Sequence, residues 1–379
     1  MYKRLLHIDY HAENSYFLFG PRGTGKTTWL RAHFQDAIYI DLLDQAVYLE
    51  LSSQPSRLST YIDHKKNNWI IIDEVQKIPA LLDEVHRQIE HHKRRFILTG
   101  SSARSLRKKG VNLLAGRAFG LSMHPLTAIE LEDDFNLSHS LRYGQLPKVI
   151  STKEPNKFLA SYVDNYLREE VLQEGLTRNI QSFHRFLEIA SFSHGEQLNL
   201  SSIAREIGMD QKVVSNYFNI LEDLLIAYRL PAFTRRAKRK LAKHPKFYFF
   251  DAGIYQQIRP RGPLDSESEI SGPALEGLFL QELRAINAYS DKQYDFYYWR
   301  AHTGQEVDIV LYGENGFKAF EIKHRDRFDN NDLKGLKAFH ADYPEAECFL
   351  VYQGTQEKVI DNIRALPVEM ALRSLEKLI

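Results

Sequence analysis

Apolar residues along this chain fall into two periods. Short unbroken runs come first: "YFLF" at 16–19, "WIII" at 69–72 and "FIL" at 96–98 each end in glycine or a small polar group. Strands covered on both faces read this way. "AIYIDL" and "RAFGLSM" are of the same kind, so the first 130 residues predict five strands alternating with helices. Such alternation predicts a parallel α/β sheet with its ligand at the strand carboxyl ends. After "PLTAIEL" the period lengthens. "KFLASYVDNYLREEVLQEGL" sets Phe158, Tyr162, Tyr166, Val163 and Leu167 on one helical face, and "NIQSFHRFLEIASFSH" continues the pattern. In "NLSSIAREIGMDQKVVSNYFNILEDLLIAYRLPAF", Ser201 or Ser202 caps a short helix that Gly208 ends. Asp210 then caps a longer helix with Val213, Tyr217, Ile220 and Leu224 inward, and a strand follows. The last third reads as a strand in "HPKFYFFDAG", a Pro-, Ser- and Glu-rich linker "PRGPLDSESEISGP", and a helix "PALEGLFLQELRAI" with Leu275, Leu278, Phe279 and Leu283 inward. "EVDIVLY" and "KAFEIKH" then flank the turn "GENG" as a hairpin.

With 379 residues the chain exceeds one hydrophobic core. Four segments are expected: 1–130, 131–195, 196–255 and 256–379. Lys and Arg number 50 against 49 Asp and Glu, so only local clustering of charge can point to nucleic acid. One cysteine excludes an internal disulfide and a cysteine-based zinc site, which fits a reducing compartment. "MYKRLLHIDYHAENS" lacks a signal-peptide core and no apolar run is of membrane-spanning length; the expectation is a cytoplasmic protein with no membrane partner.

The chemistry begins where the first strand ends. Gly20-Pro21-Arg22-Gly23-Thr24-Gly25-Lys26-Thr27-Thr28 has the spacing of a phosphate loop between strand and helix. Glycines let the backbone wrap around phosphates so that N–H groups and a helix amino terminus face anionic oxygens. Lys26 would reach the β- and γ-phosphates of ATP, and Thr27 would bind Mg²⁺. The competing reading is a glycine turn between core elements. Asp73 ends the second apolar strand, placed to hold Mg²⁺ through water, and Glu74 follows it as the group that polarises the attacking water. In "RRFILTGSSAR" a polar side chain can sense the γ-phosphate; Ser101 is the candidate and Thr99 the reserve.

Two later features bear on partners. Helix, tight turn, helix and strand over 196–255 read as a winged helix with Gln211, Lys212, Ser215 and Asn216 outward, where such motifs touch DNA bases. "RRAKRKLAKHPK" follows, with Arg235, Arg236, Lys238, Arg239, Lys240, Lys243 and Lys246 and no acid. That is a local field able to contact phosphates, although many winged helices bind only proteins and many charge runs are simply solvated. On the hairpin, alternation puts Glu321 and Lys323 on one face, with Asp308 on the neighbouring strand. Two carboxylates with a lysine suit Mg²⁺-dependent phosphodiester cleavage; a charged exposed strand is the plain alternative.

On "GPRGTGKTT", "IIIDEVQKIP", "LTGSSAR" and "LLAGRAFGLSMHPLTAIE" the sequence resembles the AAA+ group of P-loop ATPases. More narrowly it is similar to a prokaryotic family that pairs such a domain with a carboxyl-terminal domain of poorly defined function. The resemblance implies a helical lid after the core, a possible homo-oligomer, and an arginine acting on a neighbouring subunit's nucleotide, Arg117 or Arg104. The carboxyl third resembles the PD-(D/E)XK restriction-endonuclease-like superfamily. That implies Glu276 as the helical acid, Asp308 and Glu321 as metal ligands, and Lys323 as the catalytic lysine. The proline that names the motif is absent before Asp308, where Glu306-Val307 stands. The expectation is an ATP-hydrolysing, DNA-acting protein with a nuclease-like domain; the rival is an ATP-driven switch whose carboxyl domain is not catalytic.

Overall fold

The computed structural model describes residues 2–62, 69–101, 114–167, 171, 180–237, 239–263, 265–290 and 292–379. The expected Arg104 and Lys238 lie outside them. The chain divides into two compact units, a smaller one of Leu6–His124 with Asp223–Leu225, and a larger one of Met1–Leu5, Pro125–Glu222 and Ile226–Ile379.

The smaller unit holds the five expected strands: β1 (Ser15–Phe19), β2 (Ile38–Asp41), β3 (Ile70–Asp73), β4 (Phe96–Gly100) and β5 (Ala118–Ser122). All pair in parallel in the order β2-β3-β4-β1-β5. β3 and β4 are wholly buried, which is why they read as unbroken apolar runs. Ile70, Ile72, Phe96 and Leu98 pack with Leu81, Leu82 and Val85 of the helix Leu81–His92 to form its core. β1 and β3, both central, end at the phosphate loop and at Asp73.

The larger unit carries the helices expected as a lid together with all that follows them except Asp223–Leu225. Helix Leu200–Ile207, a tight turn and helix Gln211–Asp223 are followed by β6 (Ala227–Leu230), antiparallel to β7 (Lys246–Phe249). Asn199, rather than Ser201 or Ser202, caps the first helix, its side chain accepting from Ser202 N at 3.0 Å. Gly208 ends that helix at φ 74°. On the second helix Val214, Tyr217, Phe218, Ile220 and Leu221 are buried, while Val213, expected inward, is exposed.

A six-stranded sheet follows: β8 (Asp295–Arg300), β9 (Glu306–Gly313), β10 (Gly316–Lys323), β11 (Glu347–Tyr352), β12 (Lys358–Ile360) and β13 (Ile363–Pro367). Its order is β12-β13-β11-β10-β9-β8. β8, β9 and β10 form an antiparallel meander, and β11 joins β10 in parallel after the helix Lys334–Asp342. Trp299, Val310, Leu336, Phe339 and Leu350 fill one face. A helix, Glu267–Tyr289, precedes the meander and meets β10 through Phe279 and Phe320, ring centroids 5.6 Å apart.

That helix is longer than its sequence suggested. "SESEISGP", read as linker, forms its first turns because Ser266 and Glu269 make a capping box. Pro273 sits inside the helix, and Ile270 and Ala274 are buried. Glu276 therefore lies in its third turn. Among the described residues no helix is long and apolar enough to cross a membrane.

Candidate functional site

The phosphate loop takes the shape its glycines permit. Gly23 and Gly25 have φ of 83° and 95°, left-handed values open to glycine at little cost. Gly20 is required for a different reason, since a Cβ there would stand 2.4 Å from the Met123 carbonyl oxygen. Helix Lys26–His33 starts directly after Gly25, so its first N–H groups border the loop. Pro21 and Thr24 are buried, and the Thr24 hydroxyl donates to Pro21 O at 2.9 Å; Arg22 and Thr28 are exposed. The buried Lys26 ammonium donates to Gly20 O at 2.6 Å and Pro21 O at 3.2 Å, which holds it over the loop.

Three hydroxyls meet at Asp73. Thr27 Oγ1 donates to Oδ2 at 2.8 Å, Tyr39 OH donates to the same oxygen, and Thr99 Oγ1 donates to Oδ1. Burial, followed by this contact with Asp73, pushes the Tyr39 phenol well above its usual range. Tyr39 was invisible to motif reading, because only the pairing of β2 with β3 brings it to the acid. Glu74 stands at φ 60°, ψ 44°, a left-handed conformation sparse for a residue with a Cβ. Its N–H donates to Thr99 Oγ1 at 3.2 Å, and its carboxylate accepts from Gln76, whose amide also meets Ser101 Oγ at 3.2 Å. The reserve, Thr99, thus touches both acids' positions directly, while Ser101 reaches Glu74 only through Gln76.

Arg117 precedes Ala118, which pairs with Ser15 at the amino end of β1; the loop leaves the other end, where Phe19 pairs with Ser122. Arg117 is ion-paired to Glu90. It thus stands at the end of the sheet opposite the phosphate loop.

A hydroxyl and a carboxylate oxygen within 2.8 Å are the hard oxygen donors that Mg²⁺ takes, so Thr27 and Asp73 fit that ion.

In the larger unit the four expected residues do come together. Register pairs Phe320 with Ile309, so Glu321 faces Asp308 one step on, and Asp308 Oδ2 accepts Ile322 N at 2.9 Å. Lys323 bridges Glu321 at 2.5 Å. The unforeseen member is Lys246. Counted in sequence among surface cations, it is buried in β7, with its ammonium 2.9 Å from Glu276, 2.5 Å from Glu306 and 3.3 Å from Asp308. Tyr248, also on β7, donates to the same Glu276 oxygen. Arg300 pairs with Glu306 at 3.0 Å.

Four carboxyls therefore face three cations, and one shared proton makes the cluster neutral. Burial, then the Asp308 charge, pushes Glu276 up to about 7 and Glu321 well above its ordinary value. Burial works against the Lys246 ammonium, but Glu276 and its neighbours outweigh it and hold the lysine charged.

The expected metal ligands here hold ammonium groups. A divalent ion drawing on Glu276, Asp308 and Glu321 would share its place with a buried ammonium, and the described residues hold no group of three or more His, Cys, Asp or Glu able to bind a metal. The residues present do not fit the metal, although Glu321 Oε2 is buried without a partner.

Part of the basic run is ion-paired. Arg239 pairs with Asp342 at 2.6 Å, and Arg235 with Asp295 at 3.4 Å. Phe233 is buried in the core of the six-stranded sheet, and Ala232 and Leu241 bridge to Tyr298 and Ala301. The stretch between β6 and β7 is therefore laid on that sheet. Arg236, Lys240 and Lys243 stay exposed without an ion pair among the described residues. On the preceding helix Gln211, Lys212 and Asn216 are exposed as expected, and Ser215 is half-buried.

The "PLTAIE" segment is structural. Thr127 and Glu130 form a capping box, Glu130 also accepts from Arg4 Nε at 3.0 Å and Leu5 N at 2.7 Å, and Glu282 accepts from Ala128 N at 2.8 Å.

Comparison with known proteins agrees with this division. A family model described as an AAA domain matches residues 12–132. Two models described as domains of unknown function, DUF8612 and DUF4143, match residues 135–265 and 271–371. An uncharacterised protein of Haemophilus influenzae is 21% identical over 280 residues, 68% of this chain and 67% of its own. Solved structures with some likeness include the ORC1 protein of Aeropyrum pernix in complex with DNA, at 13% identity over 65% of this chain and 86% of that one, with a TM-score of 0.26. Protein VC1899 of Vibrio cholerae covers 96% of both chains at 10% identity, with a TM-score of 0.23. Scores so low carry no functional argument. Residues 12–132 thus match the AAA-domain model and carry the loop, parallel strand order and paired acids of a P-loop domain.

Proposed function

We propose that the chain is a nucleotide-driven switch that binds ATP with Mg²⁺ at the carboxyl ends of β1 and β3, hydrolyses it, and acts on DNA through the larger unit. The observation that carries the reading is the Asp73 network. Thr27, Thr99 and Tyr39 fix the carboxylate beside the phosphate loop, and Glu74 follows it on a strained backbone. Thr27 and Asp73 would hold Mg²⁺, which when bound neutralises phosphate charge. Lys26 exchanges its bonds to the loop carbonyls for phosphate oxygens, and the backbone around Gly23 and Gly25 cradles them. Glu74 orients water for attack, and Thr99 holds Asp73 and the Glu74 backbone in register. We assign Arg117 to the nucleotide of a second copy, so turnover depends on homo-oligomerisation. For DNA, support comes from the exposed Gln211, Lys212 and Asn216 on the second helix of a winged-helix-like segment. The helix–meander–helix–strand order of the carboxyl domain supports reading it as restriction-endonuclease-like. With Lys246 among its carboxylates we assign that domain a non-cleaving role and derive no cleavage step.

Calorimetry and phosphate release test the reading. Wild type should give heat with Mg²⁺–ATP and release phosphate. Lys26→Ala should lose the heat. Glu74→Gln should keep it while phosphate release falls by at least about 100-fold, the usual weight of a general base. Absence of heat from folded wild type would sink the proposal at its first step.

A further inference from the structure

In the larger unit a cavity of about 580 Å³ is lined by Arg142, Gln256, Arg261, Ser271 and His324, among others. Its volume is within the range of about 300–1,000 Å³ common to small-ligand sites. Its charge is one-sided. Arg259, close in sequence, is already engaged: its guanidinium pairs with Asp265 at 3.2 Å and lies 3.5 Å over the Phe192 ring. Asp265, the acid of the lining, is engaged in return, its other oxygen accepting Gly262 N at 2.7 Å. Arg142 and Arg261 are left with no ion pair among the described residues; Arg142 donates Nε to Tyr143 OH at 3.1 Å and keeps its terminal nitrogens. Burial, with Arg142 next, pulls Arg261 below its usual range, so the two guanidinium groups sense each other as like charges. Like charges at a concave, partly dry wall are relieved by an anion.

A second group asks for a different contact. Gln256 is nine-tenths buried and lines the same cavity. Its Nε2 donates to Leu141 O at 3.1 Å, which fixes the amide, and its Oε1 is buried without a partner. A buried acceptor left unmade is costly, and a ligand hydroxyl or N–H would satisfy it. His324 directly follows Lys323, so the cavity lies beside the end of β10.

We propose that this cavity binds a phosphate monoester of a hydroxylated sugar, with Arg142 and Arg261 taking the phosphate and Gln256 accepting from the sugar. Arginine suits this, because its fork presents paired donors to phosphate oxygens. The same chemistry is offered by a free mononucleotide and by the 5′-phosphorylated end of a nucleic-acid strand. The proposal stands apart from the ATP reading, since it uses none of the phosphate-loop residues.

The test uses the full chain carrying Lys26→Ala, so that the phosphate loop does not contribute. Calorimetry is run with AMP, with inorganic phosphate, and with one short single-stranded oligodeoxynucleotide bearing either a 5′-phosphate or a 5′-hydroxyl. Expected is binding of AMP, or of the 5′-phosphorylated strand over its 5′-hydroxyl twin, weakened at least tenfold by Arg142→Ala or Arg261→Ala and abolished by the pair. Both arginines are exposed, so these variants should keep the wild-type melting temperature. Gln256→Glu, which sets a second negative charge beside the phosphate, should weaken binding further than Gln256→Met. AMP alone would identify a free nucleotide as the source, and the phosphorylated strand alone a strand end. No binding by any probe, or equal binding by wild-type arginines and the double variant, overturns the assignment.

Discussion

Asp73 shows how much of a site one residue can organise and how little of that is written locally. Its partners come from helix Lys26–His33, from β2 and from β4, each hydroxyl spending its proton on the same carboxylate. Thr99 is fully buried and serves two masters, Asp73 Oδ1 and the Glu74 N–H. Thr99→Val keeps the shape and removes the hydroxyl, leaving both groups unpaired, which costs about 1–3 kcal/mol. The expected result is a lower melting temperature and phosphate release slowed by about tenfold or more, with ATP affinity within a few-fold by calorimetry. Undiminished release would show that Thr99 is only a packing residue. The loop residues Gly20 to Thr28 and Asp73-Glu74 were legible because their chemistry demands fixed spacing. The preference of Thr99 over Ser101 was not, because it depends on which residue at the end of β4 faces inward, and that is settled by pairing with β1 and β3.

At the scale of elements, β7 carries the largest surprise. Lys246 and Tyr248 alternate onto the face that meets Glu276 and Asp308, so a strand read only as core delivers the cation of the carboxylate cluster. Sequence counts charge along the chain, whereas the cluster sums it in space. Neighbours 30 and 62 residues away cannot be read by counting. Asp308, Glu321 and Lys323 were legible since they share one hairpin. The extent of the helix carrying Glu276 was not, because Pro273 and the serines mimic a linker until the Ser266 cap is seen. Lys246→Met should lower stability by about 3–5 kcal/mol, the usual result of stripping the partner from a buried charge. Millimolar Mn²⁺ should raise the variant's melting temperature, as the freed carboxylates take the ion, and leave wild type unmoved. A wild-type response as large as the variant's would show that Lys246 does not exclude metal.

For the molecule as a whole, pH dependence should come from the larger unit. Glu282 accepts from Ala128 N and from Gln145 Nε2, both at 2.8 Å, and burial, with Glu130 adding, pushes it up to about 8. Asp251, which caps the helix Ala252–Ile258, is pushed by burial up to about 6. Both are acids whose folded pKa is raised, so the folded chain holds protons that the unfolded chain releases at lower pH. Their contribution is complete below the ordinary carboxyl range and is lost as pH rises, through 6 for Asp251 and through 8 for Glu282. Melting temperature should therefore still fall between pH 6 and pH 8 through Glu282, the share of Asp251 being mostly lost below that range. Glu282→Gln, which keeps an acceptor without a titrating proton, should flatten that fall; an unchanged slope would place the dependence elsewhere.

The first residues belong to the larger unit, where Arg4 Nε and Leu5 N are fastened to Glu130. The polypeptide thus leaves the larger unit after Leu5 and returns to it at Pro125, and residues flanking these crossings are bonded to each other within the larger unit. After a protease nick at the return crossing, the smaller unit stays with the larger one only as long as the bonds of Arg4 and Leu5 to Glu130 hold.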